Sequence, residues 1–183
     1  MNTERARSAQ SKSRMHLMLI LVVAAASLGG SYLVFFSARD GGGWGTTNHG
    51  QFVAPARILG DFDIRAASEP LANETGTWWL WVLTTAECGG ECERALHQLR
   101  QLHILLNKDA NRVRRALVTD GGHQQPHPDY PELLRLTGSL EGLATGIYIV
   151  DPIGNLVLFY PLADAGAPVL EDLKRLLKVS QIG

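Results

Sequence analysis

Residues 15–36, MHLMLILVVAAASLGGSYLVFF, run for 22 positions without a formal charge. A helix rises about 1.5 Å per residue, so this length suffices to cross a hydrocarbon core of about 30 Å. The constraint is severe, because a lone segment in lipid can satisfy its own backbone hydrogen bonds only as a helix. A cleaved signal peptide usually has a shorter apolar region, about 7–15 residues, with a small-residue cleavage site behind it. Here the run closes on Tyr32, Phe35 and Phe36, aromatic residues that suit a membrane interface. The expectation is an uncleaved transmembrane helix over residues 15–36.

The flanks give that helix a direction. Residues 1–14 carry Arg5, Arg7, Lys12 and Arg14 against Glu4, a formal +3, and such a short basic tail stays in the cytoplasm. Residues 37–183 then lie outside, in the periplasm of a bacterium with the span in its inner membrane; the mitochondrial inner membrane is the alternative. The whole-chain charge of −1 leaves −4 beyond the tail. A mildly acidic exported part offers no basic surface for nucleic acid or anionic lipid. The expected membrane contact is the one helix, and no nucleic acid is expected as a partner.

With 45% hydrophobic and 19% charged residues, the chain suits one globular domain beyond the span. Residues 37–50 are rich in glycine and small polar residues, the composition of a flexible linker, and they include Trp44 and His49. The domain is expected over 51–183. It opens with apolar pieces at Phe52 and Val53 and at Phe62 and Ile64, divided by Pro55 and Gly60, a short strand or hairpin entry. Asn73 heads an Asn-Glu-Thr glycosylation acceptor pattern, a triplet frequent by chance.

Residues 77–84, TWWLWVLT, form a nearly continuous aromatic and β-branched run, which fits a central strand buried on both faces. After it, Ala95, Leu99, Leu102 and Leu106 recur at one stripe of an amphipathic helix. His97 and His103 interleave with that stripe and are expected at its exposed border. Residues 113–119, VRRALVT, make the next strand, giving a right-handed βαβ unit. A loop, DGGHQQPHPDYP, and a short helix over 132–138, ELLRLTG, are expected next. The hairpin GIYIVDPIGNLVLFYP then turns through Asp151, Pro152 and Gly154, residues suited to a type I turn. A last helix starts near Pro168 and buries Val169, Leu173, Leu176 and Leu177. The order βαβ then ββα predicts an α/β, thioredoxin-like fold with one N-terminal transmembrane helix.

The chain's two cysteines, Cys88 and Cys92, fall in CGGEC between the first strand and helix of that order. An extracytoplasmic compartment lets such a pair be oxidised and cycled, and a domain of this size can bury an adequate core without disulfides. Chemistry is therefore the expected role. A helix amino terminus stabilises a thiolate, whereas Glu87, Glu91 and Glu93 oppose one. Carboxylates near both sulfurs destabilise the dithiolate relative to a disulfide, which makes the pair a reductant rather than an oxidant. The same pair could hold a soft Cu(I) ion, which prefers thiolate ligands.

The anchor, the CxxxC loop and the YIVDPIGNLVLFY hairpin with its terminal helix together resemble the Sco/SenC family, membrane-tethered thioredoxin-like copper chaperones for cytochrome c oxidase. The resemblance covers residues 75–183 and implies copper as cargo, with Cys88 and Cys92 as ligands. It also implies a copper-site subunit of a respiratory oxidase as partner. The family's third ligand, a histidine before the hairpin, has no counterpart over 141–151, and Glu93 stands where proline usually follows the second cysteine. His123 and His127, in the loop after the second strand, are the candidates to replace the missing ligand. The expected function is Cu(I) binding or delivery in oxidase biogenesis. Two alternatives stand beside it: a thiol-disulfide reductant of copper-site cysteines, and a non-enzymatic interaction subunit with a structural disulfide.

Overall fold

The computed structural model describes residues 2–40, 46–66, 69–71, 76–85, 87–121, 129–130 and 132–180, with backbone alone for 2–13, 38–40 and 69–70. Two compact units result, Met1–Thr47 and Asn48–Gly183. In the first, helix α1 covers Asn2–Asp40, and its segment Arg14–Ser37 is long and apolar enough to cross a membrane. The hydroxyls inside that segment are satisfied along the helix itself. Ser27 Oγ donates to the Ala24 carbonyl and Ser31 Oγ to that of Ser27, each at 2.9 Å, so neither leaves a bare polar group where water is absent. Tyr32 and Phe36 stack at 4.3 Å between ring centroids, one turn apart at the end of the apolar run.

The second unit is built around one sheet. Strand β4 (Trp78–Thr84) is buried at all seven positions, as its apolar continuity predicts. Trp78, Leu80 and Val82 face one core, and Trp79, Trp81 and Leu83 face the other. Helix α2 (Gly90–Leu105) crosses over to strand β5 (Val113–Thr119), which lies parallel to β4 with Trp78 opposite Val113 and Thr84 opposite Thr119. On the other side of β4, strand β7 (Gly146–Val150) runs antiparallel and continues through a hairpin into β8 (Asn155–Tyr160). Helix α3 (Ala167–Val179) follows. This β8-β7-β4-β5 core with α2 and α3 is the βαβ, ββα order expected from the sequence.

The hairpin turns as its residues require. The Gly154 N–H donates to the Asp151 carbonyl at 3.0 Å, and the Asp151 carboxylate accepts from the N–H groups of Ile153 and Asn155. Gly154 sits at φ +93°, where a side chain would strain the backbone.

Both helices cover the same face, where Leu96, Leu99, Leu173 and Leu177 meet Leu80, Val82 and Leu117. On the opposite face Phe62, Ile64 and Leu140 pack with Trp79, Trp81, Val118 and Leu156 of the sheet. Further strands extend the sheet at both edges, with β1 (Gln51–Ile58) beyond β8 and with β6 (Leu134–Thr137), β2 (Arg65–Ala66) and β3 (Glu69–Pro70) beyond β5, to the order β1-β8-β7-β4-β5-β6-β2-β3. Strand β1 pairs antiparallel with β8, whereas β2 and β3 pair with each other beyond β6.

Strand β6 (Leu134–Thr137) corrects the expectation of a short helix over 132–138. It lies parallel to β5 with Leu117 opposite Arg135. Three leucines within four positions match either period, and the free edge of β5 decides for the strand. Leu134 and Leu136 then share one face, and Leu133 joins the opposite core, the alternation of a strand.

The chain enters this unit through a carboxylate clamp. Asp172, only 2% exposed on α3, accepts on Oδ2 from the N–H of His49 at 2.6 Å, the N–H of Gly50 at 3.0 Å and the Tyr160 hydroxyl at 2.8 Å. Arg175 Nη1 lies 3.6 Å from Oδ1. Burial, reinforced by that carboxylate, pushes the Tyr160 hydroxyl well above the ordinary tyrosine range. A Cβ on Gly50 would overlap the Tyr160 ring. Residues 48–50, expected in the linker, are thus held against α3, and residues 37–40 continue α1.

Candidate functional site

The cysteines sit where β4 ends and α2 begins. Gly89 caps the helix in an extended conformation and Glu93 N–H returns to the Gly89 carbonyl at 2.9 Å, so Cys92 falls in the first turn and Cys88 just ahead of it. They are joined by a disulfide with a Cα–Cα distance of 5.2 Å, within the span such bonds require. The two sulfurs differ in access. Cys92 is 4% exposed and belongs to the helix-side core, whereas Cys88 is half-buried at its rim.

Cys88 opens into a cleft of about 620 Å³, lined also by Glu87, Glu93, Thr119, Asp120 and Arg135. The parallel register explains the meeting, because pairing Thr84 with Thr119 brings the carboxyl ends of β4 and β5 to one edge. Gly146 opposite Leu83 brings the residues before β7, Leu143-Ala144-Thr145, to the same end. Glu91 and Glu93 also lie in the first turn of α2, where the helix dipole favours negative charge.

The histidines divide. His97 and Gln101 are hydrogen-bonded at 2.9 Å on the exposed face of α2. His103 donates from Nε2 to the carbonyls of Ala110 and Val113 and so ties the end of α2 to the start of β5. His49 reaches Glu171 on α3 at 2.9 Å and does not line the cleft. His123 and His127 lie outside the described residues, as do Trp44 and Asn73. The loop carrying the two histidines leaves β5 at the cysteine end, since Asp120 and Gly121 line the cleft. Among the described residues no group of three or more metal-ligating side chains is assembled.

Sequence reasoning missed Asp120 and Arg135. Arg135 could be placed only once β6 was known to be a strand beside β5. Its Nε is buried and has no hydrogen-bond partner among the described residues.

Residues 78–180 match the family model described as the transmembrane-like, thioredoxin-like, C-terminal domain. The chain belongs to this family. No curated protein matches this thioredoxin-like chain. Among solved structures, it is similar to a thiol:disulfide interchange protein from Bacteroides sp., at 16% identity over 74% of this chain and 95% of that one, with a TM-score of 0.49. A SCO1/SenC family lipoprotein from Bacillus anthracis gives 15% identity over 69% and 94%, with a TM-score of 0.47. Copper-bound ScoI of Arabidopsis thaliana gives 18% over 56% and 88%, with a TM-score of 0.42. The matched residues of this thioredoxin-like domain start with β4 and end just beyond α3, so they include both cysteines.

Proposed function

We propose that this protein is a membrane-anchored thiol-disulfide exchange protein, with residues 1–14 in the cytoplasm and the thioredoxin-like domain in the bacterial periplasm. The observation that carries the reading is the unequal access of two sulfurs within bonding reach of one another: Cys88 faces a cleft and Cys92 is covered. In the reduced protein the Cys88 thiolate attacks a partner disulfide, forms a mixed disulfide and releases one partner thiolate, which takes a proton. Cys92 then loses its proton to solvent and attacks Cys88, so the Cys88–Cys92 bond forms and the second partner sulfur leaves as a thiol. The partner gains two electrons and two protons, and an external dithiol must restore the pair.

The expected test result is asymmetric trapping. Cys92→Ser should accumulate a mixed disulfide with a partner through Cys88, visible on a non-reducing gel, whereas Cys88→Ser should accumulate far less because Cys92 is buried. Equal trapping, or none with either variant, contradicts the reading.

A second reading is supported by the loop after β5. It starts in the cleft at Asp120 and Gly121 and carries His123 and His127. In this reading the reduced cysteines take Cu(I) as cargo for a copper-site subunit of a respiratory oxidase, the role implied by the Sco/SenC resemblance. The described donors fit in part, since two sulfurs suit a soft ion and the cleft's carboxylates are hard oxygens. Anaerobic Cu(I) titration of the reduced protein decides it: stoichiometric binding that either cysteine-to-serine change abolishes and His123→Ala or His127→Ala weakens supports delivery. Retention of no copper leaves exchange alone. Full oxidase activity with both cysteines changed to serine would instead leave the interaction-subunit alternative.

A further inference from the structure

Among the described residues lining the cleft beside Cys88, Arg135 is the one basic side chain. Its Nε is buried and unmatched by any acceptor among the described residues, although Glu87, Glu93 and Asp120 line the same cleft. A buried donor without an acceptor is costly, and a guanidinium forms its strongest hydrogen bonds with a carboxylate. The acceptor is therefore to be sought in what enters the cleft. Resting on the exchange reading, we infer that Arg135 determines substrate specificity by receiving an acidic side chain of the partner polypeptide, on the segment that presents its reacting cysteine to Cys88.

The sheet sets the spacing. Cys88 follows β4, and Arg135 is on β6, two strands away across β5. Arg135 is level with Leu117 and through it with Val82, two residues short of the end of β4. Two strand spacings are about 10 Å and two residues of strand about 7 Å, a diagonal of about 12 Å, and an extended peptide advances about 3.3 Å per residue. The acidic residue then lies about three or four positions from the reacting cysteine. A carboxylate elsewhere on the segment meets Glu87, Glu93 or Asp120 and is repelled, so the cleft selects for position as well as for charge. The cleft, at about 620 Å³, has room for several residues.

The test uses the full-length chain in detergent, reduced beforehand with dithiothreitol and freed of it. Its oxidation is followed with synthetic disulfide-linked peptide dimers carrying Glu, Gln or Lys three or four residues before or after the cysteine. For one of these placements the wild type should react about tenfold faster with Glu than with Gln, and more slowly with Lys. In Arg135→Gln the ratio of the Glu rate to the Gln rate should fall to about one, and Arg135→Lys should restore part of it. Equal wild-type rates with Glu and Gln at every placement, or a preference surviving in Arg135→Gln, overturns the inference and leaves the exchange reading standing. Failure to reduce any peptide, with thiol titration confirming the reduced protein, overturns both.

Discussion

Asp172 shows how much one side chain can organise. From α3 its Oδ2 gathers three donors, two from the approach to β1 and one from the end of β8, and Tyr160 stays protonated in the folded state well beyond the pH at which a free tyrosine ionises. Tyr160→Phe should lower stability near neutral pH by about 1–3 kcal/mol, because the buried carboxylate loses a donor. The pH dependence has a definite sign. Above about pH 10 the unfolded chain releases the tyrosine proton while the folded chain keeps it, so the folded state binds more protons and stability falls as pH rises. Phenylalanine has no such loss. The gap between wild type and variant should therefore narrow from pH 8 to pH 11 in urea denaturation, and a constant gap would show that Tyr160 titrates normally. None of this was legible in the sequence, where Asp172 is one acid beside Glu171 on an amphipathic helix. Its burial depends on Gly50, 122 positions away.

Among the elements, the long ones were legible and the short strand β6 was not. Strand β4 is one unbroken apolar run and helices α2 and α3 each repeat a helical period, and the hairpin turn is specified by Asp151, Pro152 and Gly154. The four residues of β6 are too few to show a period, and the edge they complete belongs to β5. The candidate site divides the same way: the cysteines were evident from their place between strand and helix, whereas Arg135 came into view only with the β6 register. That register is testable. Leu136 is fully buried and Leu134 only partly, so Leu136→Ala should cost about 2–5 kcal/mol in chemical denaturation and Leu134→Ala less. Equal costs would contradict the strand's placement.

For the whole molecule, the division at Thr47 and Asn48 has a consequence for folding. The second unit contains both cores around its sheet, so a fragment of residues 48–183 should fold without the span and unfold cooperatively in urea, as followed by circular dichroism. A fragment starting at residue 51 should be less stable, because Asp172 then loses the N–H donors of His49 and Gly50. Equal midpoints for the two fragments would mean that the clamp contributes little. Orientation is tested separately: a reporter fused after Gly45 that is active only outside the cytoplasm agrees with the basic tail staying inside, and one active only in the cytoplasm reverses it.

The same clamp has a mechanical meaning. Residues 48–50 are where the polypeptide arrives from the span, and any tension along it reaches the peptide groups gripped by Asp172 before it reaches the ladder between β1 and β8. The load passes into α3 and the Tyr160 end of β8. A tug on the tether is thereby taken up by a buried anchor, and the outermost strand of the sheet is spared from being peeled away.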